Sequence, residues 1–118
     1  MLKVASELEI LAFFKAAYGS RVHPYYGFYN SHFDQIITQQ QYMLIPMDDR
    51  TAIRGHGVFD VLYMHKTCIL NINSHIDRLF NSAQSVNIVP PFDKSTTKQK
   101  LIEVVEKTVD YHLRHEPS

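Results

Sequence analysis

The apolar residues of this 118-residue chain change period twice, and that constrains the fold more than any single motif. Between 7 and 18, "ELEILAFFKAAY" puts Ile10, Leu11, Phe13, Phe14, Ala17 and Tyr18 on one broad face at helical spacing. Ser6 and Glu9 form an S-x-x-E capping box before it, and Gly19 is a stop signal after it. From 33 to 72 the helical period disappears. Short apolar runs replace it: "FDQIIT" (33–38), "YMLI" (42–45), "VFDVLYM" (58–64) and "CILNI" (68–72). They read as four strands, the last two joined by the hairpin-length "HKT". The aromatic "GSRVHPYYGFYNSH" ahead of them reads as a connection held down by Tyr25, Tyr26, Phe28 and Tyr29. The helical period then returns. Ile76, Leu79, Phe80 and Ala83 follow a Ser74 cap with Asp77 in the first turn, and Pro90-Pro91 ends that helix. A last helix over 96–114, capped by Ser95 or Thr96, carries Ile102, Val105, Val109 and Leu113 on one stripe. The order predicts an α+β fold: a mainly antiparallel sheet with two helices packed on it, preceded by an N-terminal helix.

Charge narrows the partners. Twelve Lys+Arg balance twelve Asp+Glu, so no net field draws the chain to nucleic acid or to an anionic membrane. No apolar run approaches the ~20 residues needed to span a bilayer. "MLKVASELEI" lacks the apolar core of a signal peptide. The expected setting is cytoplasmic, with an organelle left open for a longer precursor. The one cysteine, Cys68, lies in an apolar run and reads as a buried, inert thiol.

The charges gather in "IPMDDRTAIRGHGVFDVLYM", residues 45–64. Gly55-His56-Gly57 has part of a dinucleotide fingerprint, but a strand-like run follows it instead of a helix. The glycines read as places of positive φ or close backbone approach. Asp48 and Asp49 read as turn and capping residues. Phe59 reads first as core. His112 and His115, three apart, lack a third ligand at metal-site spacing. Arg78 falls nearly opposite the apolar face of its helix. Such an arginine is either a solvated surface residue or free to meet an anion, for which its planar fork suits phosphate.

Two stretches taken together resemble a known family. Gly55-His56-Gly57-Val58-Phe59-Asp60, then His75-Ile76-Asp77-Arg78-Leu79 and Ser82-Ala83, are similar in order and spacing to the N-terminal part of class IV aminotransferases, the fold-type IV pyridoxal-phosphate enzymes. The likeness covers roughly residues 29–113 and is nearest the D-amino-acid and branched-chain transaminase groups. It implies that Arg78 contacts the cofactor phosphate, that Phe59 lines the substrate pocket and that Arg54 meets a substrate carboxylate. His56 has no implied role. It implies pyridoxal 5'-phosphate as cofactor, an amino acid and a 2-oxo acid as substrates, and a homodimer. In the family the Schiff-base lysine belongs to a larger second domain, and Lys3, Lys15, Lys66, Lys94, Lys98, Lys100 and Lys107 match no such position. The resemblance therefore divides the chain into a helical extension, 1–24, and a small domain, 25–118, with the catalytic domain absent and the chain inactive alone. An aminodeoxychorismate lyase of the same fold and a non-catalytic dimerisation module are the alternatives.

Overall fold

The computed structural model describes residues 1–20 and 25–115. The end of the expected 1–24 extension and the last three residues of 25–118 lie outside the described residues. The chain forms two compact units, Met1–Leu44 and Ile45–Ser118.

The first unit opens with α1, Glu7–Tyr18. The capping box forms as the sequence predicts: Glu9 N–H donates to Ser6 Oγ, and Ser6 N–H to Glu9 Oε1, both at 3.2 Å. The Lys3 ammonium pairs with Glu9 at 2.7 Å. That contact, with the Ser6 bonds, holds the Glu9 carboxyl below its ordinary value against a smaller desolvation effect. Gly19 ends the helix in the right-handed region, its N–H on the Lys15 carbonyl. Two short strands follow, β1 Phe28–Asn30 and β2 Gln35–Ile37, antiparallel with Tyr29 opposite Ile36.

Two expectations are corrected here. The segment expected to be a connection supplies β1, and "YMLI" is not a strand. A 3₁₀ turn at Gln40–Tyr42 takes its place and packs against α1. The reason lies in the loop between the strands. Asn30 accepts from the His32 N–H through its side chain and from the Asp34 N–H through its carbonyl, and Asp34 takes a positive φ of 56°. Asn and Asp tolerate that conformation and build such turns from their own side chains. The Tyr29 hydroxyl closes the loop onto Asp34.

The second unit begins with a turn over Pro46–Asp49 and a five-residue helix, α2, Arg50–Arg54. Asp49 caps it by accepting from the Thr51 N–H at 2.9 Å, as its capping assignment predicts. The run expected as a strand over 58–64 has no regular structure until Met64. Only β3 (Met64–His65) and β4 (Cys68–Ile69) pair, as an antiparallel hairpin. Lys66 supplies the turn's positive φ of 57° where a glycine is more usual. Without a third strand or a covering layer, this hairpin leaves Cys68 exposed, which overturns its expected burial. Its neighbour Ile69 is half-buried.

Two helices complete the unit. α3 spans Ile72–Ser85, three residues earlier than a Ser74 cap allows. Asn71, at φ 54°, turns the chain, and its carbonyl accepts from the His75 N–H at 3.1 Å, so the first helical bond forms a turn sooner. α4 spans Lys94–His115, again earlier than expected. Its cap is Asp93, whose side chain accepts from the Thr96 N–H at 2.7 Å. That bond, seconded by the Thr96 hydroxyl, draws the Asp93 carboxyl below its ordinary range against a weaker effect of burial. α3 packs against α4. Ile76 and Ala83, each 3 % exposed, form the apolar core, as the period predicts, with Thr108 buried on α4. Lys94 ties the start of α4 to Asp77 at 3.0 Å. The described residues form an α+β structure with two small antiparallel sheets and four α-helices.

Candidate functional site

Arg78 lies in the second turn of α3, directed away from the Ile76–Ala83 face, with 67 % of its side chain exposed. Its Nη2 donates to Asp60 Oδ1 at 2.6 Å. Asp60 is the residue that sequence reasoning passed over. It lies in the irregular segment before β3, and its side chain is only 12 % exposed. His75 Nδ1 donates to its other oxygen at 3.2 Å, and the Val61 N–H to Oδ1 at 2.9 Å. Burial pushes the Asp60 carboxyl up. The Arg78 and His75 bonds, the Val61 N–H and the Arg78 charge together outweigh it, and the group sits below its ordinary 3.8. Asp60 is therefore an anion that fixes one edge of the guanidinium. Arg has five N–H donors in a rigid fork, so donors remain after one bond to Asp60. The signal for Asp60 was present in the sequence: His75 and Arg78 are three apart on one helix and can share an acceptor.

The glycine triplet divides its two expected roles. Gly55 caps α2 at φ 63°, in the left-handed region, and its N–H closes on the Arg50 and Thr51 carbonyls. Gly57 answers to close approach: a Cβ there would lie 2.6 Å from Thr51 Oγ1. Between them His56 Nε2 donates to the Val86 carbonyl at 2.9 Å, tying the end of α2 to the end of α3.

Arg54, the last residue of α2, lines an open depression of about 580 Å³ with Asp48, Arg50, Ile53 and His56. Neither Arg78 nor Phe59 is among its lining residues. Phe59 is 87 % exposed and takes no part in the core expected for it. The structure thus brings Arg78 together with Asp60 and His75, and Arg54 together with Arg50 and His56, as two separate groupings.

The chain is similar to the "D-amino-acid transaminase, chloroplastic" of Arabidopsis thaliana, 35 % identical over 102 residues, which are 86 % of this chain and 27 % of that protein. It is also similar to the "D-alanine aminotransferase" of Listeria monocytogenes serotype 1/2a, 30 % identical over 73 residues, which are 62 % of this chain and 24 % of that protein. This is a relative of the class IV aminotransferases. A third aminotransferase of that name, from Listeria innocua, is 33 % identical over 61 residues, covering 52 % of this chain and 21 % of its own length. The chain spans about a quarter of the length of the curated relatives it matches. No protein-family model matches it.

Class IV aminotransferases use pyridoxal phosphate, and the residues here fit one end of that cofactor. Arg78 offers exposed donors on a guanidinium fixed by Asp60, as a phosphate requires. Among the described residues of the second unit, Lys94 is engaged by Asp77 and Lys107 by Glu103 at 2.7 Å. No lysine lines the depression beside Arg54. No helix of the described residues is long and apolar enough to cross a membrane.

Proposed function

We propose that this chain is the small-domain part of a pyridoxal-phosphate-dependent aminotransferase of the D-amino-acid or branched-chain type, transferring an amino group between an amino acid and a 2-oxo acid. Residues 25–118 form that domain in this reading, with 1–24 as an extension, and the longer protein acts as a homodimer. The observation that carries it is the Asp60–Arg78 contact, which holds an exposed guanidinium in one orientation with donors to spare. When bound, the cofactor supplies an electron sink for the substrate α-carbon. Arg78 would hold the cofactor phosphate through the donors that its bond to Asp60 leaves over. Asp60, itself bonded by His75, sets the direction of the exposed Arg78 side chain. Arg54 takes a substrate carboxylate in the depression after α2. Phe59, whose exposed ring contributes to no core of this chain, covers the apolar part of the substrate. The named relatives are all transaminases, so the lyase alternative gains no support.

The test uses both the chain and the longer reading frame. The 118-residue chain alone is expected to lose all cofactor absorbance on dialysis. A borohydride-fixed adduct on one of its lysines would overturn that. In the longer protein, Arg78→Gln is expected to weaken cofactor binding by about tenfold to a hundredfold, the worth of a charge-assisted hydrogen bond. Unchanged affinity would remove Arg78 from the phosphate site.

A further inference from the structure

α2 has little to hold it in place. It is five residues long, well short of the ~12–15 at which an isolated helix becomes marginal in water, and none of its residues is buried. Its caps, Asp49 and Gly55, bond only within the α2 segment. His56, the residue after Gly55, bonds in three directions. Its N–H donates to the Arg50 carbonyl at 3.2 Å, and its carbonyl accepts from Thr51 Oγ1 at 3.4 Å. Its ring Nε2 donates to the Val86 carbonyl at 2.9 Å. Val86 is the C-cap of α3, where a helix leaves carbonyls without partners of its own. Among the described residues, no other hydrogen bond or ion pair from residues 50–56 reaches another element. His56 also lines the same depression as Arg54.

We propose that His56 is a positioning residue for the transamination: its ring clasps α2 to the C-terminal end of α3, and so sets Arg54 on the substrate side relative to Arg78 on the cofactor side. This rests on the roles read for Arg54 and Arg78 above. Arg54 is the last residue of α2, two before the clasp, and Arg78 leaves the helix that the clasp grips. A substrate held by one group must meet a cofactor held by the other, and a reaction between two bound partners depends on their relative placement. With the ring bond gone, the α2 segment keeps its internal bonds and loses its hydrogen-bonded tie to α3.

The test has two arms. In the 118-residue chain, the ring nitrogen shifts of His56 are read by NMR and are expected to place a proton on Nε2. His56→Leu is expected to speed amide exchange over residues 50–55 by about threefold to tenfold, the worth of one intramolecular hydrogen bond, and to leave the α3 amides around Arg78 unmoved. In the longer protein, His56→Leu is expected to raise KM for the amino acid by a similar factor, by more than it lowers kcat, with the affinity for pyridoxal phosphate unchanged. His56→Gln, whose amide can donate over the same reach, is expected to bring back both the slow exchange and the lower KM. A ring protonated on Nδ1 alone, exchange unmoved by His56→Leu, a KM that His56→Gln does not restore, or cofactor affinity falling in step with the rise in KM would each overturn the assignment. Failure of the unsubstituted longer protein to bind pyridoxal phosphate would instead sink the aminotransferase reading. The exchange arm needs no cofactor and decides the clasp by itself.

Discussion

Asp60 determines how Arg78 is presented. Its carboxyl sits below 3.8 in the folded chain because Arg78, His75 and the Val61 N–H favour the anion more than burial disfavours it. The linkage has a definite sign. A depressed carboxyl contributes stability above its unfolded value and loses that contribution as pH falls through its folded value. Asp60→Asn keeps the shape and removes the charge. It is expected to lower the melting temperature at neutral pH, with the two proteins converging at acid pH as the Asp60 carboxyl takes up its proton. An equal deficit at both pH values would mean that packing, and not charge, accounts for the loss. The sequence showed that Arg78 faces outward and that the glycines are backbone devices. It did not show that Asp60 is the partner of Arg78, because this contact spans 18 residues and depends on how the irregular segment folds back onto α3.

At the scale of elements, the three long helices and the hairpin through "HKT" were legible, and β2 lies inside its expected run, but the short helix α2 and the strand β1 were not foreseen. Ser6 and Glu9 fixed the start of α1 because every bond of a capping box is local. α3 and α4 began early because Asn71 and Asp93 turn the chain ahead of the first capping residue that the sequence suggested. "VFDVLYM" has strand composition yet pairs only at Met64–His65, since a strand needs a neighbour that composition cannot supply. The turn from α2 toward the Asp60 segment rests on one tight approach, Gly57 against Thr51. Gly57→Ala would place its Cβ 2.6 Å from Thr51 Oγ1, 3.2 Å from Cγ2 and 3.4 Å from Cβ. Such overpacking costs about 1–3 kcal/mol. Truncation at Thr51→Ala removes the two closer atoms, so the double variant is expected to recover most of the loss in urea denaturation. A double variant whose deficits simply add would show that the strain lies in the backbone at Gly57 and not in this contact.

For the whole molecule the buried inventory is short. Among the described residues only Ile76 and Ala83 form a buried apolar core, while Phe59, Val61, Tyr63 and Met64 lie exposed along one segment. Large exposed apolar patches commonly mark interaction surfaces. The chain alone is expected to enhance the fluorescence of anilinonaphthalene sulfonate in native buffer, and a longer product carrying roughly 150–200 further residues, one more domain's worth, to do so much less. Equal dye binding by the two would mean that the added residues leave this segment uncovered. Cys68 has a separate consequence. It is the sole thiol and it lies exposed on β4, four residues before the first residue of α3. A maleimide dye would therefore attach at one known atom without any engineered cysteine, close in sequence to the helix that carries Arg78. The molecule arrives with its own reporter for whatever docks beside that helix.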